Sequence, residues 1–189
     1  MTRLHSLTRA EFAYPLTVAD VYRLQEDGVI GNADSFELIE GEIVPMAAAK
    51  SNPHEQMKAA LIRALVLALP ATETVHVETS ITLSETTFVE PDICVIRQPH
   101  DTQKVRGPEL LLVIEVARSS IGYDLTTKLR LYARHGVRDY WVVDVGRRMV
   151  RVHRAADGDR FRDVVEFDAS SEIAALLLPD VRIRLSMLD

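Results

Sequence analysis

Cysteine is nearly absent from this sequence: Cys94 stands alone, so no intrachain disulfide can form. It lies in a strand-like run, where a buried reduced thiol is its simplest use. Long apolar runs are absent too, and nothing approaches the roughly 18 residues that a membrane span needs. The opening stretch, MTRLHSLTRAEFAYPL, lacks the apolar block of a secretory signal, and a cytoplasmic protein is expected. There is no zinc-type cluster of cysteine and histidine, no phosphate-binding glycine loop and no serine nucleophile elbow. Internal repeats and low-complexity segments are also missing. The net charge of −6 argues against indiscriminate binding to nucleic acid, yet the charge is uneven. Residues 97–154 carry 12 basic against 6 acidic side chains, a local basic surface compatible with a phosphate-bearing substrate.

What is present suits one soluble α/β domain over residues 1–189, with a hydrophobic share of 47% and enough chain for a core without staples. The stretch from Pro108 to Val145 reads strand, helix, strand. Leu110 to Ala117 and Tyr140 to Val145 are apolar runs, and Asp124 to His135 between them has helical spacing. Runs of this kind predict parallel strands buried on both faces and joined by a crossover helix. Upstream, Thr17 and Asp20 form a capping-box pattern, and Phe36 to Met46 predicts a hairpin turning at Glu40-Gly41. Ser51 or Asn52 caps a helix running to about Leu69, with Pro53 in its first turn. Val75 to Leu83 alternates as one strand, and Asp92 to Ile96 forms another after Pro91. Beyond Gly146, Met149 to Arg154 and Arg160 to Phe167 predict further strands, Ser171 to Leu178 a short helix, and Val181 to Leu185 a last strand.

One residue breaks the central pattern. Glu115 is a carboxylate inside an otherwise apolar strand, and burying an acid is costly unless something pairs with it or binds it. If the strand opened by Asp92 lies beside it, the two carboxylates converge on one divalent cation. Magnesium takes oxygen ligands, usually one or two carboxylates, and the Val116 carbonyl could add another. The plain alternative is a Glu115 paired with an arginine and an Asp92 in solvent. Lys128 lies about 60° from the stripe Leu125, Leu129 and Tyr132, close enough to reach over the sheet end. Otherwise it would sit at the surface paired with Asp124, which suits a helix cap better than a ligand. A lysine at such a centre can stabilise the developing charge of a phosphodiester transition state.

The ordered set Pro91-Asp92, Ile114-Glu115-Val116, Asp124, Lys128, Tyr132-Ala133, Tyr140-Trp141 and Asp144 resembles the PD-(D/E)XK nuclease superfamily. Within it the chain is similar to the Uma-two family of restriction-endonuclease-like proteins. TVADVYRL, ELIEGEIVPMA with a following His54, and LLLPDVRIRL extend the likeness from about Leu16 to Leu188. The resemblance implies a restriction-endonuclease-like core, a mixed β-sheet flanked by helices in an αβββαβ arrangement. It also implies a magnesium-dependent endonuclease acting on DNA, with manganese able to substitute, and a homodimer that cuts both strands. Asp92, Glu115 and Val116 would hold the metal, and Lys128 would serve catalysis from the helix. The superfamily's usual lysine position, two residues after the strand acid, holds Ala117 here. By the same resemblance Glu40 stands at the edge of the metal site; by itself it reads equally well as a solvated turn residue. His54 reads first as a satisfied inward-facing histidine, then as a phosphate contact, and Arg118 as a possible phosphate contact. A nuclease-like fold that binds nucleic acid or protein without cutting is the alternative.

Overall fold

The computed structural model describes residues 14–31, 35–46, 51–98 and 104–188. The opening residues 1–13, on which the absence of a signal was read, lie outside them. The first helix, α1 (Val18–Glu26), begins where expected: the Thr17 hydroxyl accepts from the Asp20 N–H at 3.1 Å, and the Asp20 carboxylate accepts from the Thr17 N–H at 2.9 Å. Strands β1 (Phe36–Ile39) and β2 (Glu42–Pro45) form a hairpin whose two turn residues are both left-handed, Glu40 at φ 52° and Gly41 at φ 83°. Gly41 is required there, because a side chain would collide with Pro15.

Helix α2 (Asn52–Ala68) follows, then β3 (Glu73–Val77), β4 (Ile81–Ser84), β5 (Thr87–Val89) and β6 (Ile93–Arg97). The single strand expected over Val75 to Leu83 is therefore two. Glu78, at φ 47°, breaks it, and the halves join different sheets. One sheet has the order β2-β1-β5-β4 and packs under α1 around Leu38, Phe36 and Phe88. The other, with β7 (Leu112–Ala117), β8 (Asp139–Asp144), β9 (Met149–Asp157) and β10 (Arg160–Asp168), has the order β10-β9-β8-β7-β6-β3, and β7 and β8 are its parallel pair.

The crossover between β7 and β8 is a broken helix: α3 (Ile121–Tyr123), a π turn (Asp124–Lys128) and α4 (Leu129–Arg134). Taken together, α2, β3, β6, β7, the crossover and β8 give the expected αβββαβ core, with β4 and β5 lent to the smaller sheet. Strands β9 and β10 extend the large sheet. The helix expected over Ser171 to Leu178 does not form. That segment carries β11 (Ile173–Ala174), paired with β12 (Arg182–Ile183), because its apolar residues Ile173, Ala175 and Leu178 pack onto the α2 side of the large sheet.

Both faces of the large sheet are covered, so its central strand β7 buries every residue. Leu112, Ile114 and Val116 join the core on the α2 side, whereas Val113 and Ala117 join the core under the crossover. Glu115 alternates with Val113 and Ala117, so strand pleating turns it toward the crossover helix. Tyr140 and Trp141 are fully buried core residues of β8. Cys94 is a buried free thiol pushed up to about 12 by burial and the nearby Glu115 charge, so it stays protonated and inert.

Candidate active site

Strands β6 and β7 are antiparallel neighbours whose ladder ends at Ile93 and Ile114. Just past that end the Asp92 N–H donates to Glu115 Oε2 at 3.2 Å, and the Val116 N–H donates to Asp92 Oδ2 at 2.8 Å. The two acids thus meet at one spot on the sheet. N–H and C=O of a strand residue leave by the same edge, so the Val116 carbonyl is directed to the Asp92 side.

Lys128 reaches them. Its Nζ lies 3.1 Å from Glu115 Oε1 and 2.5 Å from Glu37 Oε1, and the residue is only 4% exposed. The π turn is what brings it in: the Leu129 N–H bonds back to the Asp124 carbonyl, and the extra residue rotates Lys128 and Asp124 together toward the core. Leu125 and Leu129, expected to be the buried stripe, are correspondingly only half-buried. Asp124 is not a helix cap. It is buried within the crossover and lines the same pocket as Lys128.

Further groups fix these side chains. The Tyr132 hydroxyl donates to Glu115 Oε1 at 2.9 Å, and the Lys128 ammonium lies 5.8 Å from the centre of the Tyr132 ring. His54, in the first turn of α2, points inward as expected. Its Nε2 is 3.3 Å from Asp92 Oδ2, and its Nδ1 is 3.0 Å from Glu55 Oε1. Lys58, one turn on, bonds Glu55 at 3.0 Å and Glu78 at 2.6 Å. A chain of polar contacts therefore runs from Glu78 through Lys58, Glu55 and His54 to Asp92.

Two placements differ from expectation. Glu40 is not in the pocket: its turn conformation directs it outward, where it pairs with Arg134 on the exposed side of α4. The acid that does arrive is Glu37, 2% exposed, which bonds Lys128 and accepts from the Glu90 N–H at 2.9 Å. The signal for Glu37 was present, since it is an acid between Phe36 and Leu38 in an apolar strand. That is the same anomaly that singled out Glu115.

Glu37, Asp92, Glu115, Asp124 and Lys128 line one cavity of about 440 Å³ with His54, Ser51, Tyr123, Arg118 and the apolar Val44, Pro45 and Met46. Four acids share one buried ammonium. Burial raises Glu115 to about 8; Lys128 opposes this, and Asp92, Asp124 and Glu37 add to it. Burial likewise raises Asp124 to about 6, against the Ser120 hydrogen bond and Lys128. Burial by itself would lower Lys128, but Glu115 and Glu37 outweigh it and hold the ammonium above its usual range. Acids in the pocket therefore outnumber its cations, of which Lys128 is the buried one and Arg118 the exposed one.

The donor set suits a hard divalent ion, because it is all oxygen and rich in carboxylates. Among the described residues no group of three or more acid, histidine or cysteine side chains is arranged to hold a metal. A magnesium site needs only one or two carboxylates beside water, and the Asp92 and Glu115 pair meets that requirement.

This fold is that of a nuclease-like α/β protein. A crystal structure of a protein from Anabaena variabilis, described as a putative nuclease belonging to DUF820, superposes with a TM-score of 0.70 at 15% identity, over 92% of this chain and 97% of that one. The chain belongs to the Uma2 family, described as putative restriction endonucleases, whose model matches residues 18–186. No curated protein matches the sequence. Among the described residues no helix is long and apolar enough to cross a membrane.

Proposed function

We propose that the protein is a magnesium-dependent endonuclease hydrolysing phosphodiester bonds in DNA, with manganese able to substitute. The observation that carries this is the convergence of Asp92 and Glu115 from adjoining strands with Lys128 from the crossover, in a pocket whose acids outnumber its cations. Asp92, Glu115 and the Val116 carbonyl would hold the ion. When bound, it supplies polarisation of the phosphoryl oxygen and neutralisation of developing charge.

The chain's own groups do the rest. Lys128 stays an ammonium, so it acts as a fixed positive charge beside the phosphoryl oxygens and not as a base. Glu37 and Glu115 aim it. Tyr132 orients Glu115, while His54 and the Val116 N–H set the plane of the Asp92 carboxylate. Asp124 lines the same pocket, its carboxyl raised by burial to about 6. A cytoplasmic homodimer belongs to the same proposal, and light scattering tests its mass.

The test is cleavage of DNA, offered both single-stranded and as duplex, with Mg²⁺ or Mn²⁺, paired with Mn²⁺ titration calorimetry. Asp92→Ala should lose both cleavage and metal binding with the fold intact; equal cutting by that variant would remove the site assignment. A second reading, a fold that binds without cutting, is favoured by one observation. Both Glu115 oxygens already accept hydrogen bonds, from Lys128, Tyr132 and the Asp92 N–H. Wild-type protein that shifts DNA in a salt-dependent manner but takes up no Mn²⁺ would decide for it.

A further inference from the structure

Resting on the nuclease reading, we infer that the site takes single-stranded DNA, with one nucleotide seated inside the pocket, and does not act on an intact duplex. The reacting groups are not on a surface. Glu37, Asp92, Glu115, Asp124 and Lys128 are each between 2% and 8% exposed and line the cavity. A paired backbone is a stiff, broad object, poorly suited to bring its phosphates against groups so little exposed. Enzymes that work inside a closed pocket act on single strands or on nucleotides drawn out of the stack. The cavity, about 440 Å³, falls in the roughly 300–1,000 Å³ range of small-ligand pockets, which suits a nucleotide.

Its walls are divided to match. Val44, Pro45 and Met46 of the β2 end give an apolar side, and Tyr123 supplies an aromatic ring, the surface on which unpaired bases stack. Ser51 and His54, at the N-terminus of the 17-residue helix α2, also line the cavity, and the positive end of that helix favours a phosphate. At that end the Ser51 hydroxyl does not cap its helix. Its oxygen is buried without a hydrogen-bond partner among the described residues, an unspent polar group in the pocket. Arg118 lines the mouth, is exposed, and makes no ion pair among the described residues despite the acids nearby. It is placed for the phosphate of a neighbouring nucleotide as the strand leaves the pocket.

The experiment compares three end-labelled DNA oligonucleotides of one sequence with Mn²⁺: a single strand, a blunt duplex, and a duplex with a single-stranded overhang. Cleavage of the single strand and of the overhang should exceed that of the blunt duplex at least about tenfold, and equal or faster cutting of the blunt duplex overturns the inference. Fluorescence anisotropy with the same oligonucleotides reads the preference without catalysis. If nothing is cut but the single strand binds at least about tenfold more tightly, the nuclease reading falls and the strand preference stands. Equal binding to the duplex, or binding to neither, removes the preference. Tyr123→Leu should weaken single-strand binding by about 5- to 150-fold, the span seen when a stacking aromatic is lost, while Tyr123→Phe keeps it. Unchanged binding by a folded Tyr123→Leu variant counts against the pocket as the base site.

Discussion

Two acids of the large sheet are almost equally buried and behave in opposite ways. Asp139, at the start of β8, is 0% exposed, and every oxygen is answered. Arg154 Nε reaches Oδ1 at 2.8 Å, the Trp141 indole N–H donates to Oδ1 at 2.9 Å, and the Leu176 N–H donates to Oδ2 at 2.6 Å. One cation meets one anion, and the cluster ties β8, β9 and the C-terminal segment together. Glu115, one strand away and 4% exposed, shares a single ammonium with three other acids and is driven up to about 8. Burial alone therefore says little about an acid's purpose. The charge balance around it separates the answered Asp139 from Glu115, the acid proposed to take a ligand.

Substitutions can break that contrast. The largest effect is expected at the unbalanced site: Asp92→Asn should lower cleavage by about 100-fold or more, while its thermal midpoint holds or rises because one repelling charge has gone. Lys128→Met should also abolish cleavage but lower the midpoint, since four acids would then lack their cation. Rate assays beside thermal melts read both; a fall in midpoint for Asp92→Asn would place that acid with the anchors. At the balanced site the pattern reverses. Asp139→Ala leaves Arg154 and two N–H groups without their acceptor and should cost about 3–5 kcal/mol in urea denaturation, with cleavage by the folded fraction unchanged.

His153 gives a smaller, pH-dependent effect. It is 1% exposed, packed between Tyr140 and Phe161, and lowered to about 4 chiefly by burial. The unfolded chain takes up this proton near 6.5, the folded protein only near 4. Stability is thus full above pH 6.5 and falls as pH drops toward 4, by up to roughly 3 kcal/mol. Denaturation midpoints measured from pH 7 to 4 should fall less steeply for His153→Phe than for wild type, and equal slopes would remove this role for His153. The smallest effect belongs to Glu40 and Arg134, both about half exposed. Glu40→Ala should change stability by less than about 1 kcal/mol and leave Mn²⁺ affinity as it was. Lost metal binding in that variant would restore Glu40 to the site.

Much of this was readable along the chain wherever the cause is local. The capping box at Thr17, the hairpin at Glu40-Gly41 and the two apolar runs around the crossover each follow from neighbouring residues, and each forms. The break at Glu78 and the paired β11 and β12 were not readable. In both, backbone choice is decided by which sheet or face the chain meets. The site divides in the same way. Asp92 and Glu115 announce themselves as acids at or inside strands, and Glu37 did so equally, but the turn drew attention to Glu40.

The sequence by itself determined the alternation of apolar strands, the helix starts and the presence of acids where apolar residues belong, because these depend on spacing and on the cost of burying charge. Only the tertiary structure decided which acids share one ammonium. That choice comes from the register of β6 against β7 and from one extra residue in the π turn. Neither leaves a periodic mark in the chain, and both act through contacts between residues up to 91 positions apart.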